Sequence, residues 1–148
     1  MNKISPLQQA RAAYSPKLPA ALQNGAAVEI LSGGATTAVA DVEKIQALFK
    51  STFGSPVLTF APSKGETKPA INVGVILSGG QAPGGHNVIC GLYDALKATD
   101  KDNVLYGFKG GPSGLLEDDF IVFDDEYIDQ YRNTGGFDII GSGRTKLE

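Results

Sequence analysis

The chain has 148 residues and a mass of 15.5 kDa, the size of one folded domain, and thirteen Lys and Arg against sixteen Asp and Glu give a net charge of -3. That balance excludes a broad basic face of the kind that grips a nucleic-acid backbone, and the longest mainly apolar run, residues 71–77, falls far short of the roughly 20 residues a membrane-spanning helix needs. A single cysteine, Cys90, excludes an intramolecular disulfide, and the first twenty residues hold no signal-peptide core, so the expectation is a cytoplasmic protein without nucleic-acid or membrane partners.

Charge and glycine divide the chain at about residue 70. Residues 1–70 carry seven Lys/Arg and four Asp/Glu, whereas residues 71–148 carry six and twelve. Fourteen of the nineteen glycines lie between Gly74 and Gly143, gathered into three groups with no fixed period, which excludes a collagen-like or linker sequence. The expected organisation is a short, mainly helical N-terminal extension of helices and loops over 1–70 and the start of an α/β domain over 71–148.

In the extension, Pro6, Pro16, Pro19, Pro56, Pro62 and Pro69 limit helices to short pieces. Ser5-Pro6 followed by residues 7–14 has the form of an N-cap with proline in the first turn, and residues 41–49 place Val42, Ile45, Leu48 and Phe49 at helical spacing. Residues 28–31 suit a short strand before a Gly33-Gly34 turn, and residues 63–69 a surface loop. From Ile71 the pattern becomes strand, glycine turn, helix, strand, as in an open Rossmann-type sheet with crossover helices. The β-branched run 71–77 suits a central strand buried on both faces, and residues 86–97 a helix whose Val88, Ile89, Leu92 and Leu96 face the sheet. Residues 104–108, 120–123 and 137–140 follow as strands.

Two loops have the composition for chemistry. Residues 78–85, Ser-Gly-Gly-Gln-Ala-Pro-Gly-Gly, join a strand to a helix, where α/β folds hold phosphate. Gly79 and Gly80 would let backbone N–H groups approach an anion, and the helix N-terminus would add partial positive charge. The loop has neither the P-loop ending nor the GxGxxG spacing, and a ligand-free tight turn remains the competing reading. Residues 141–146, Gly-Ser-Gly-Arg-Thr-Lys, follow the last expected strand and should emerge at the same sheet edge. There the guanidinium fork of Arg144 and the ammonium of Lys146 suit phosphate oxygens, unless Arg144 pairs with an acidic neighbour.

The acidic run 117–129 reads as a solvated strand edge and helix start in preference to a metal cage, since an apolar run interrupts it and EF-hand spacing is absent. His86 has no nucleophile beside it in any motif, so packing or capping is expected of it, and Cys90 should be buried and inert. Residues 108–114, Phe-Lys-Gly-Gly-Pro-Ser-Gly, suit a plain turn or a third wall of the crevice.

Taken together, Val73-Gly74-Val75-Ile76-Leu77-Ser78-Gly79-Gly80-Gln81-Ala82-Pro83-Gly84-Gly85-His86-Asn87-Val88-Ile89 and the stretch from Gly135 to Lys146 resemble the pyrophosphate-dependent phosphofructokinases of the long-chain branch. Residues 106–115 and 11–19 extend the resemblance over nearly the whole chain. It implies a glycolytic transferase that moves a phosphoryl group reversibly from pyrophosphate to the C1 hydroxyl of fructose 6-phosphate with Mg2+. It also implies a pyrophosphate site at Gly79, Gly80, Gln81, Arg144 and Lys146, with Arg144 stabilising the transition state. Gln81 stands where ATP-using relatives have Asp, and the paired glycines distinguish the catalytic type from plant regulatory subunits.

The same resemblance implies a much longer protein whose aspartate loops, holding the Mg2+ ligands and the general base, follow the arginine loop. This chain therefore reads as an N-terminal portion, inactive alone and homo-oligomeric when full length. An ATP-dependent phosphofructokinase fragment and a non-catalytic phosphate-binding or regulatory protein are the alternatives.

Overall fold

Ser5 and Gln8 close the start of the first helix, α1 (Pro6–Ala13), reciprocally. The Gln8 amide donates to the Ser5 hydroxyl at 3.2 Å, and the Ser5 amide donates to the Gln8 side chain at 2.8 Å. The computed structural model describes residues 4–23, 27–63 and 69–146, and the middle of the loop expected at 63–69 lies outside them. Two compact units form, residues 18–66 and residues 1–17 with 67–148, so α1 groups with the second half of the chain.

The unit of residues 18–66 is not mainly helical. A 3-10 turn (Ala20–Leu22) leads to β1 (Val28–Ala35), α2 (Val42–Leu48) and β2 (Pro56–Pro62), and β1 and β2 pair antiparallel. β1 runs through Gly33-Gly34, which form a ladder irregularity between Ser32 and Ala35 where a turn was expected. β2 was not expected at all, because its bounding prolines read as breakers. Both sit at its ends, Pro62 opposite Val28 and Pro56 opposite Ala35, where a missing amide is tolerated.

In the other unit, β3 (Asn72–Val75), α3 (Gly85–Thr99), β4 (Val104–Phe108), α4 (Pro112–Glu117), β5 (Phe120–Val122) and α5 (Asp125–Asp129) follow in order. The sheet order is β3-β4-β5, with β3 parallel and β5 antiparallel to β4. The fold is thus mixed α/β with small open sheets. β3 is shorter than expected and alternates exposed with half-buried residues, as an edge strand does; β4 is the central strand. β5 turns back antiparallel because the eleven residues between it and β4 are too few for the dozen or so that a crossover takes.

The core lies on one side of this sheet, where Ile89, Cys90 and Tyr93 of α3 meet Leu105, Phe123, Ile128, Ile139 and Ile140. Val73, Val75 and Ile121 pack against it. On β4, the alternate residues Tyr106 and Phe108 stack edge-on with Phe120, at ring separations of 5.4 and 5.7 Å, and Phe108 lies over Gly74. Asn103, 2% exposed, joins α3 to the sheet: its Oδ1 accepts from the Ile71 amide at 2.7 Å and its Nδ2 donates to the Leu96 carbonyl at 2.8 Å.

Residues 137–140 do not form the expected fourth strand. Their polar backbone is taken elsewhere: the Ile139 amide donates to His86 Nε2 at 3.2 Å, the Ile139 carbonyl accepts from the Tyr127 hydroxyl at 3.4 Å, and the Ile140 carbonyl accepts from the Gly110 amide at 2.8 Å. The apolar pattern that suggested a strand serves the core instead, through Ile139 and Ile140.

Candidate functional site

Three glycine turns converge at the C-terminal ends of β3 and β4. After β3, Ser78 forms a parallel bridge to Gly143, and the Gly79 amide donates to the Gly143 carbonyl at 2.9 Å. After β4, Gly110 and Gly111 both take positive φ, +69° and +78°, and a Cβ on Gly111 would collide with the Gly143 backbone. The turn at 108–114 is therefore packed against the loop that bears Arg144, and its helix α4 was missed because Gly-Gly-Pro reads as punctuation.

Gly80 and Arg144 meet beside these turns. The position of a Cβ on Gly80 lies 3.2 Å from Arg144 Nη2, so the missing side chain leaves room for the guanidinium. Gly80, Gln81, Arg144 and Lys146 are all exposed, and among the described residues no carboxylate forms an ion pair with Arg144. Four of the seven acids of residues 117–129 have other partners. Asp119 pairs with Lys109 at 2.5 Å and Asp129 with Arg132 at 2.6 Å, the Asp124 side chain accepts from the Tyr127 amide at 2.8 Å, and Asp125 accepts from the Tyr93 hydroxyl at 2.9 Å. Arg132 also makes a two-pronged contact with Asp94, at 2.7 and 2.8 Å, and these hydrogen bonds push its already high pKa further up.

Three amides in and beside the expected phosphate cradle are spoken for. The Gly79 amide holds Gly143, and at the start of α3 the amides of Gly84 and His86 donate to the carbonyls of Gly135 and Gly136, at 2.8 and 3.0 Å. The helix N-terminus is thus partly satisfied by the chain itself. Among the described residues the amides of Gly80 and Gln81 are taken by no backbone hydrogen bond, and Gly80 lies beside the Arg144 guanidinium. Among the described residues no group of three or more His, Cys, Asp or Glu gathers to hold a metal ion. No described helix is long and apolar enough to cross a membrane.

His86 and Cys90 belong to the frame around the site. His86 is buried at the first turn of α3, with its ring edge-on to Tyr131 at 4.9 Å. Cys90 is buried beside Ile128, and desolvation pushes its thiol pKa up, which disfavours the reactive thiolate.

No family model matches the chain. Curated relatives do. A protein of Porphyromonas gingivalis named pyrophosphate–fructose 6-phosphate 1-phosphotransferase is 57% identical over 145 residues, 97% of this chain and 26% of its own length. One of Treponema pallidum with the same name is 49% identical over 156 residues, 98% of this chain and 27% of its own length. The subunit beta 1 of Arabidopsis thaliana is 42% identical over 146 residues, 97% of this chain and 25% of its own length. Over nearly its whole length the chain is homologous to the pyrophosphate–fructose 6-phosphate 1-phosphotransferases, and it spans about a quarter of the length of these relatives.

Proposed function

We propose that the chain carries part of the phosphoryl-donor site of an enzyme that transfers a phosphoryl group reversibly between pyrophosphate and the C1 hydroxyl of fructose 6-phosphate. The observation that carries this reading is the approach of Arg144 Nη2 to within 3.2 Å of the Cβ position on Gly80, which aims a guanidinium at an open glycine backbone. Transfer between phosphate oxygens asks the protein mainly for positioning and for neutralisation of charge on the equatorial oxygens. In this reading the Gly80 and Gln81 amides orient the donor, Arg144 stabilises charge that grows in the transition state, and Lys146 adds a second cation. Gly79 serves by holding the loop that bears Arg144.

Mg2+, when bound, would supply charge neutralisation on pyrophosphate, and its ligands and the general base are assigned to residues other than those described. The sheet β3-β4-β5 is read as the opening of a phosphofructokinase-like Rossmann-type sheet. The plant relative is named as a beta subunit, that is, as one chain of an assembly. For this protein the reading is a homo-oligomer in the cytoplasm.

Turnover by the protein expressed from its whole reading frame tests the reading. Fructose 1,6-bisphosphate should form from fructose 6-phosphate with pyrophosphate and not with ATP. ATP as the sole effective donor would replace the donor assignment, and tight pyrophosphate binding without turnover by either donor would leave a binding protein.

A further inference from the structure

His86 is the one histidine of the sequence and is 4% exposed. Its ring makes three polar contacts to a single segment. Nδ1 lies 2.7 Å from the Thr134 hydroxyl, Nε2 lies 3.2 Å from the Ile139 amide, and Nε2 also lies 2.8 Å from the Asp138 carboxylate. The Thr134 hydroxyl already donates its hydrogen to the Tyr131 carbonyl at 2.6 Å, so at Nδ1 it can only accept. Nδ1 therefore carries the proton, and in the neutral ring Nε2 presents a lone pair to the Ile139 N–H.

Two partners compete for Nε2. The Ile139 amide needs a lone pair there, whereas the Asp138 carboxylate needs a proton there. Asp138 is the charged group at the ring among the described residues: it comes from the turn at 137–140, while the turn at 131–134 contributes the neutral Tyr131 ring and Thr134 hydroxyl. On α3 itself the nearest acid toward that turn, Asp94, is occupied by Arg132. No carbon fits between ring and turn, since a Cβ on Gly136 would lie 2.5 Å from His86 Cε1. From Ile139 the chain runs through Ile140, held by Gly110, and Gly143, held by Gly79, directly to Arg144.

We propose that His86 is a positioning residue for the donor site: the neutral ring holds the Ile139 amide and with it the segment that delivers Arg144 to Gly80, and protonation of Nε2 exchanges that hold for Asp138. The effect on pyrophosphate rests on the proposed donor site; the coupling between the ring and Arg144 does not.

The test is a pH titration by NMR of the 15N-labelled protein expressed from its whole reading frame, in which the ring signals lost in His86→Gln are those of His86. The Nδ1–H tautomer is expected at high pH, and the Ile139 and Gly143 amides and the Arg144 Nε should shift with the midpoint of the ring. An Nε2–H tautomer, or Ile139 and Arg144 signals indifferent to the ring, would overturn the proposal. His86→Gln keeps an uncharged acceptor near the Nε2 position, so the pH-linked shifts should vanish while pyrophosphate affinity near neutral pH stays within about threefold. His86→Phe keeps the ring without an acceptor, and affinity should fall by about tenfold with the fold retained. Equal affinities of the Phe and Gln variants would overturn the link to binding. Ring-linked Arg144 shifts in a chain that does not bind pyrophosphate would support the coupling and count against the donor site.

Discussion

A Cβ on Gly111 would collide with the backbone nitrogen of Gly143, so the turn after β4 and the loop bearing Arg144 touch through two residues without side chains. Gly111 also has φ +78° and ψ -142°, a conformation essentially confined to glycine. Gly111→Ala should cost at least about 2 kcal/mol, from strain of about 1–3 kcal/mol plus displacement of Gly143. Urea denaturation measures it, with Gly91→Ala as the contrast: Gly91 is helical with open space beyond it, so alanine there should stabilise by roughly 0.5–1 kcal/mol. Equal effects of the two substitutions would contradict the packing described.

Arg144 faces Gly80 without an ion pair among the described residues, so its removal leaves no buried carboxylate unpaired and should barely alter stability. In the complete enzyme, Arg144→Ala should cost about 2–4 kcal/mol of transition-state stabilisation, expressed mainly in kcat. Gly80→Ala should be mild, because the guanidinium can withdraw by a few tenths of an ångström, whereas Gly80→Phe should displace it and weaken donor binding. Steady-state kinetics with pyrophosphate as the varied substrate separate the three variants, and an unchanged kcat in Arg144→Ala would remove the residue from the chemistry.

Local signals made much of this framework legible. Ser5-Pro6 marked the start of α1, helical periodicity marked α3 to within a few residues, and residues 104–108, read as a strand, have the bounds of β4. The misread segments were those where distant partners decide the structure. Residues 137–140 have strand-like side chains, but His86, Tyr127 and Gly110 take their backbone groups. Pro56 and Pro62 looked like breakers because only the pairing with β1 shows that they stand at the ends of β2. At the site, glycine spacing and two cations were readable. The engagement of the Gly79 amide by Gly143, and of the α3 N-terminus by Gly135 and Gly136, was not, since no local pattern encodes which carbonyl will arrive there.

Two tyrosines should govern the alkaline limit of stability. Burial, and then donation of its hydroxyl to Asp125, pushes the Tyr93 pKa up from 10 to about 12. Burial raises Tyr127 likewise to about 12. A phenol whose pKa is higher in the folded than in the unfolded chain keeps its full contribution below about pH 10 and loses it as pH climbs toward 12, because the unfolded state releases its proton first. Unfolding free energy should therefore decline over that interval by roughly 2 kcal/mol per phenol. Tyr93→Phe should flatten part of the decline, and denaturation midpoints read at intervals from pH 8 upward would show it; an unaltered slope would refute the assignment.

Asn133 ties α1 to the rest of its unit. Its Nδ2 donates to the carbonyls of Arg11 and Tyr14, at 2.8 and 2.9 Å, and its φ of +56° is one that asparagine tolerates better than most residues. α1 itself buries no residue, so this two-pronged bond is a main attachment of the helix. Asn133→Asp keeps the shape and the tolerance for positive φ but removes the donor and sets a carboxylate against two carbonyls. Asn133→Gly removes the bonds yet suits the backbone. The Asp variant should lose about 1–3 kcal/mol and the Gly variant less, with amide exchange in residues 7–13 accelerating in both while α3 stays protected. If exchange in α1 were unchanged in Asn133→Asp, the helix would have to be held by something other than this side chain.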